Sequence, residues 1–391
     1  MKRITFLVLT LTIVVGTLLF SGCSNKNTDS SQKTKTSEQI KKDSIEAKKQ
    51  YDLGLKYYEG NGVEQSYEKA VEIWTKAAEL GSTDATRKLG ICYSDGKGVD
   101  KDEKKAVELY TKAAEKGDAN AYFNLGLCYE DGRGVEKDPE KAMEWYTKAA
   151  NYWKKAASNG DADAQERLGG CYFGGHGTVK SPEKAVEWYT KAAEKGNARA
   201  KYMLGLCYGS GTGVKQSQDK AIEWLKKAAE QRYADAECAL GGCYEYGDGV
   251  NQSYRTAFEW YSRASQHGNG SATYSMGKFY LVGYYVDEDE DKGIELIEKA
   301  AKQGYQWAYI GLGFSYLNGY GVTKSKQEAF RYFMKAAING EDKGIEEIKK
   351  MTNPSQMAMD ELDYQKKKLE NGVITQKQYD KIKEFLTQFM N

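Results

Sequence analysis

Apolar residues return along this chain at a fixed long interval. Leu-Gly or Met-Gly pairs begin at Leu53, Leu89, Leu125, Leu168, Leu204, Leu240, Met276 and Leu312, at steps of 36, 36, 43, 36, 36, 36 and 36 residues. Four residues before the pair stands alanine in units two to eight (Ala85, Ala121, Ala164, Ala200, Ala236, Ala272, Ala308). Four residues after it stands tyrosine in every unit (Tyr57, Tyr93, Tyr129, Tyr172, Tyr208, Tyr244, Tyr280, Tyr316). This spacing puts Ala, Leu and Tyr on one face of a helix. The glycine after the anchor predicts close approach by a second helix. A glycine-rich turn stops the first helix. Thirteen residues past the anchor comes Ser66, Asp102, Asp138, Ser181, Ser217, Ser253, Asp289 or Ser325, each an N-cap whose oxygen can accept from a free helical N–H. Pro139 and Pro182 follow two of these caps at the favoured first helical position. A second helix of the type "KAVEWYTKAAEKG" then carries an apolar stripe of alanine and aromatic residues. Glycines suited to a C′ cap end it at Gly81, Gly117, Gly160, Gly196, Gly268, Gly304 and Gly340, and Arg232 breaks that column. Eight units in near-constant phase predict an all-α solenoid in which each unit packs on its neighbours.

The pattern A-x-x-x-L-G-x-x-Y-x-x-G-x-G-V, followed by K-A-x-x-W/Y-x-x-K-A-A-x-x-G, resembles the Sel-one-like repeat, a branch of the tetratricopeptide-like helix-pair solenoids. The resemblance covers residues 47–340. Unit seven departs from it, with Tyr285 at the second glycine of the turn. It implies a right-handed superhelix of helix pairs used as a scaffold for protein–protein contacts.

The two ends of the chain have a different pattern. Lys2 and Arg3 precede an apolar run from Ile4 to Phe20, then Ser21, Gly22 and Cys23. A basic start, a short apolar stretch and small residues read as a secretory signal over residues 1–22. This end resembles a bacterial lipoprotein signal with Ser21-Gly22-Cys23 as the lipobox, although Phe20 stands where leucine is usual. The resemblance implies lipidation of Cys23 and an exported chain anchored on the extracytoplasmic side of a bacterial membrane. Residues 23–46 are polar and charged, which predicts a flexible tether. Beyond the repeats, residues 341–355 read as a capping helix and linker. Residues 356–391 read as a helical hairpin, with a turn at Asn371-Gly372, a capping box at Thr375 and Gln378, and an apolar stripe of Leu362, Leu369, Ile374, Tyr379, Ile382, Phe385 and Leu386. The segment "LENGVITQKQYDKIKEFL" resembles the SHOCT-type short C-terminal domain, which implies an oligomerising module and here a homo-oligomer through 356–391.

Charge and candidate chemistry narrow the function. With 57 basic and 56 acidic residues the net charge is +1, which argues against a nucleic-acid partner. Cys92, Cys128, Cys171, Cys207 and Cys243 share one column beside the core face, so they read as small buried apolar residues. No paired Cys-x-x-Cys suggests a metal, and no cofactor is expected. The Gly-x-Gly turn follows a helix rather than a strand and reads as loop geometry, not a phosphate loop. His176 and His267 sit in no nucleophile or metal signature. Some cysteine-rich relatives implied by the resemblance are linked to β-lactam binding, but their paired-cysteine pattern is missing here.

Recognition residues are sought on the first helices, opposite the core. The column two before the anchor reads Tyr51, Arg87, Phe123, Glu166, Tyr202, Cys238, Tyr274 and Ile310. The column two after it reads Leu55, Ile91, Leu127, Gly170, Leu206, Gly242, Lys278 and Phe314. Tyr51, Arg87, Phe123, Leu127, Tyr202, Leu206, Tyr274 and Phe314 are the candidate groove. Such a stripe either forms a peptide- or protein-binding groove or packs against adjacent first helices under tight curvature. The seven-residue excess lies in "EWYTKAANYWKKAASNG". Seven residues make about two helical turns, so the second helix of unit three is two turns longer. Tyr152 and Trp153 on it are either a protruding aromatic patch or accommodated in the stack. The reading is a non-enzymatic, membrane-tethered scaffold for an unknown protein or peptide. The alternatives are a cell-envelope hydrolase or small-ligand binder of the β-lactam or peptidoglycan type, and an assembly module acting through its C-terminal hairpin.

Overall fold

The computed structural model describes residues 36–390. The signal segment and Cys23 lie outside the described residues, which form nineteen helices and no strand. Eight helix pairs follow one another: α1 (Ser37–Glu59) with α2 (Tyr67–Glu79), α3 (Thr83–Asp95) with α4 (Glu103–Glu115), α5 (Ala119–Asp131) with α6 (Pro139–Ser158), and α7 (Ala162–Gly174) with α8 (Pro182–Glu194). Next come α9 (Ala198–Ser210) with α10 (Gln218–Ala229), α11 (Ala234–Tyr246) with α12 (Tyr254–Gln266), α13 (Gly270–Val282) with α14 (Glu290–Lys302), and α15 (Trp307–Asn318) with α16 (Lys326–Ile338). The chain closes with α17 (Asp342–Lys350), α18 (Pro354–Glu370) and α19 (Gln376–Thr387). Each helix packs mainly on the next, as a right-handed αα superhelix requires.

All eight predicted N-caps accept from the backbone N–H three residues on, for example Lys105 onto Asp102 at 3.0 Å. The same residues donate their own N–H to the carbonyl of the column tyrosine, as Ser181 does to Tyr172 at 2.8 Å. These two bonds fix the angle between the helices of a pair. The tyrosines lie half-buried at the edge of the core face expected from their spacing, and Tyr57, Tyr93, Tyr172, Tyr244 and Tyr316 pack against the core clusters. The rings of Tyr57, Tyr129, Tyr172 and Tyr208 also lie beneath second-helix lysines, as Tyr208 does beneath Lys220 at 5.2 Å. The core position opposite the anchor glycine belongs to the second helix. An added Cβ at Gly126 would lie 2.4 Å from the Tyr146 ring, and one at Gly54 would lie 2.3 Å from Trp74. Trp74, Tyr110, Tyr146, Tyr189, Leu225, Tyr261, Ile297 and Phe333 fill this place in turn, and all are buried.

Residues 37–46 correct the expected tether, because they form the first turns of α1. Thr36 caps the helix, and Glu38–Lys42 at 3.0 Å, Gln39–Asp43 at 2.7 Å and Glu46–Gln50 at 2.6 Å pair along its surface. Such i, i+4 pairs support a helix without burial, so a segment poor in apolar residues is helical here. At the other end the hairpin is not a free module. Leu386 and Phe389 are buried against Phe330, Phe333, Ile310 and Ile348, and Leu362, Ile382 and Phe385 pack around them. Much of the apolar stripe offered for oligomerisation is thus spent inside the chain, capping the last unit. Glu361 of α18 is fully buried and accepts from Arg331 Nε of α16 at 2.5 Å, which pins the hairpin to the solenoid.

Candidate binding site on the first-helix face

The site begins with the length of α6. It has 20 residues where most second helices have 13. In five other units the second glycine of the turn rests on the first residue of the preceding second helix: Gly98 on Tyr67, Gly134 on Glu103, Gly213 on Pro182, Gly249 on Gln218 and Gly321 on Glu290. Gly177 rests on Tyr146, seven residues into α6. Unit four is therefore displaced along α6 by two turns, about 10 Å at 1.5 Å per residue. The stack continues from the second half of α6 as though the helix had restarted.

The slip brings unusual residues together. Trp153 is buried, 5 % exposed, with its ring 5.7 Å from Phe123, so it is no protruding patch. Seven residues past Tyr146, it meets the same core face two turns on. Tyr152 points away and is exposed. His176, the middle residue of its Gly-x-Gly turn, lies 4.6 Å from the Tyr146 ring and 5.4 Å from Phe123. Between these groups and α7 and α9 is a cavity of about 250 Å³, lined by Phe123, Trp153, Phe173, Met203, His176, Tyr189, Asn120, Asn124, Glu166, Arg167 and Arg199, with Gly170 and Gly174 in its wall. A second hollow, of about 410 Å³, adjoins it beside Tyr152 and shares Trp153, Glu166, Arg167 and Arg199.

Glu166 is the buried charge of the site, 4 % exposed. Arg199 Nη1 lies 3.4 Å from its carboxylate and Arg167 Nε 3.7 Å. Desolvation pushes the Glu166 carboxyl above its usual range, against the pull of the two guanidiniums. Desolvation likewise lowers Arg167, which Glu166 opposes. One carboxylate thus faces two guanidiniums in a recess walled by aromatic rings. The arrangement can bind, but it places no nucleophile against a base. Among the described residues no group of His, Cys, Asp and Glu could hold a metal ion.

The candidate groove is only partly open. Tyr51 stacks on Trp74, Tyr202 lies tilted against Tyr233 at 5.5 Å and Tyr274 against Tyr305 at 5.4 Å, and Phe314 meets Phe333 edge to face at 5.3 Å. Arg87 is paired with Asp118 at 3.0 Å and with Asp84 at 2.7 Å. Arg87, Tyr202 and Tyr274 reach the next unit, so much of the column seals the seam between units. Leu127 is half-buried, and Leu206 is exposed. Of the eight residues, Phe123 lines the cavity. Column reasoning missed Arg167, Arg199, Phe173 and His176, because it assumed equal phase in every unit. The available signal was Gly170, standing where units three and five carry Leu127 and Leu206, directly after the seven-residue excess.

The cysteine column behaves as filler. Cys92, Cys128, Cys171 and Cys207 are buried and free. Burial pushes the Cys92 and Cys171 thiols to about 12 and those of Cys128 and Cys207 to about 11.

The sequence profile of the Sel1 repeat matches nine segments: 50–82, 83–118, 119–151, 148–161, 162–197, 198–233, 234–269, 270–305 and 308–341. The short match at 148–161 falls on the extension of α6, so nine matches lie on eight helix pairs. A Sel1 repeat protein from Oxalobacter formigenes is 32 % identical, over 81 % of this chain and 90 % of that one, with a TM-score of 0.46. A protective antigen of uropathogenic Escherichia coli strains is 25 % identical, over 88 % of this chain and 84 % of that one, with a TM-score of 0.36. Cysteine-rich protein B of Helicobacter pylori is 28 % identical over 32 % of this chain and 94 % of its own, with a TM-score of 0.27. No curated protein matches the chain.

Proposed function

Since this chain belongs to the Sel1 repeat family, we propose that it is a membrane-tethered scaffold that binds protein or peptide through its first-helix face. Sel1 repeat proteins are scaffolds for protein–protein contacts, and the repeat is in general a non-catalytic fold. The observation that carries the reading here is the break in the stack at α6. It opens an aromatic- and arginine-lined hollow on a face that packing seals in much of the rest. A scaffold needs such a feature, because a uniformly sealed surface offers no anchor pocket for a partner side chain.

Tethering is the second part of the proposal. It is supported by Lys2, Arg3, the apolar run and Ser21-Gly22-Cys23. Labelled fatty acid should enter the chain and be absent from Cys23→Ser. A wild-type chain that takes up no label removes the anchor from the proposal.

The scaffold reading is tested by photocrosslinking in cells. A crosslinker at Phe123 or Leu206 should give one discrete adduct, absent when the probe is moved to Glu187 on α8. Equal adducts from all three positions would count against a binding face.

A further inference from the structure

We propose that the cavity between α5, α6, α7 and α9 binds the C-terminal residue of a peptide: a bulky apolar side chain against Phe123, Trp153, Phe173 and Met203, and its α-carboxylate on Arg167 and Arg199. This rests on the scaffold reading and names the kind of partner.

Size sets the first constraint. Pockets for drug-sized ligands run to about 300–1,000 Å³, and this cavity of about 250 Å³ is on the scale of one amino-acid residue. Chemistry sets the second. Arg167 and Arg199 share Glu166, so the lining carries one positive charge in excess of its carboxylate. Asp163, on the adjoining hollow, acts on Arg167 through space but forms no ion pair with either guanidinium, and its carboxylate accepts from Asn197 Nδ2 at 2.8 Å. An anion in the cavity gives the second guanidinium its own partner, in the planar, two-donor geometry that guanidinium offers a carboxylate. The aromatic and thioether wall asks for an apolar group in the same small space. A single residue that supplies both a large apolar side chain and a carboxylate is a chain-terminal residue. An internal Asp or Glu brings the charge without the apolar bulk.

Gly170 makes the cavity and also tests it. Its Cβ position meets only the Tyr189 hydroxyl at 3.8 Å, an ordinary contact. Gly170→Leu copies Leu127 and Leu206 of the neighbouring units and would fill the hollow without a clash against the backbone.

The test uses the full chain and the dye-labelled peptide Gly-Gly-Ser-Ala-Phe, as free acid and as C-terminal amide, followed by fluorescence anisotropy. The free acid should bind at least about ten-fold tighter than the amide, a difference of about 1.4 kcal/mol. Gly170→Leu and Arg167→Gln should each lose binding. Circular dichroism and the unfolding midpoint should show Gly170→Leu folded and no less stable than the parent, and Arg167→Gln serves as the second variant if it is not. Gly-Gly-Ser-Ala-Asp-Ala amide, with an internal carboxylate, should bind no better than the Phe amide. Equal binding of acid and amide, full binding by Gly170→Leu, or no binding of the acid up to about 5 mM overturns the proposal. If the peptides fail while the Phe123 or Leu206 crosslink persists, the pocket assignment falls and the scaffold reading stands.

Discussion

At the residue scale, two glycines of the same helix type make opposite predictions. Gly126→Ala drives a methyl into the Tyr146 ring, 2.4 Å away, and should cost about 1–3 kcal/mol by overpacking. Gly170→Ala makes only an ordinary 3.8 Å contact with the Tyr189 hydroxyl and should gain up to about 1 kcal/mol from helix propensity. Urea unfolding of the pair decides it, and equal effects would contradict the packing described. The role of Gly126 was legible because its column recurs in all eight units. Gly170 was legible only as a departure from the leucines of its column, and Gly242 departs in the same way without a seven-residue excess before it, so the glycine by itself carries little signal. Arg232 is a third case. It keeps the left-handed conformation of the glycines it replaces, with φ 60°. Arg232→Gly, at an exposed position, should raise stability by about 1 kcal/mol, since a Cβ there is strained. The buried cysteines give a chemical check. With thiols held at about 11 to 12 by burial, Cys92, Cys128, Cys171 and Cys207 should resist alkylation at pH 8 and react only after unfolding. Fast labelling of the native chain would show that they are not core residues. The linkage has a sign: folded values above the unfolded value of 9.0 give stability that is complete below pH 9 and lost between about 9 and 12.

At the element scale, caps and turns follow from local chemistry, and the sequence announces them. Each Ser or Asp cap and each left-handed glycine satisfies needs set within a few residues. The phase of unit four against α6 is another matter. It is a contact between residues 31 apart, Tyr146 and Gly177, and no local signal reports it. The sequence showed a longer helix but not which end the next unit would stack on. The two readings of Trp153 stayed open for that reason, and burial decides for accommodation in the stack: the second half of α6, not the first, is in register with α7. Removing Asn151–Ala157 restores a 36-residue step and the segment "WYTKAASNG", which matches the other units. The shortened chain should unfold in one cooperative transition and should bind no Phe-terminated peptide. A chain that loses its fold instead would show that the slip is needed for stability rather than for the cavity. The start of α1 failed in the opposite direction, since surface pairing alone sustains a helix that hydrophobic patterning does not announce.

At the scale of the whole molecule, the superhelix returns on itself. Residue Gly304 at the end of α14 comes near Lys97 in the turn after α3. The start of α19 reaches the same region: Gln378 Nε2 donates to Asp100 at 3.1 Å, Lys377 Nζ donates to the Lys101 carbonyl at 3.2 Å, and Lys377 lies 3.7 Å from Asp102. No periodicity in the sequence could give this contact, because it depends on the summed rotation of many units. The hairpin therefore has two attachments of unequal strength. One is the buried core around Phe330, Phe333, Leu386 and Phe389 with the Arg331–Glu361 pair. The other is exposed and polar, and such pairs contribute about 0.2–1 kcal/mol each. A seam held this weakly should open readily while the hairpin stays docked on unit eight. Lys377→Glu places a negative charge against Asp100 and Asp102 and should raise the radius of gyration measured by small-angle X-ray scattering. About 1 M salt shortens the screening length to about 3 Å and should move the parent toward the variant's value. Identical scattering from parent and variant at low salt would mean that the curvature of the repeats alone closes the ring. The outcome bears on function, because the closure sets how much of the first-helix face a long partner can reach, whereas a peptide end entering the α6 hollow should bind equally in both forms.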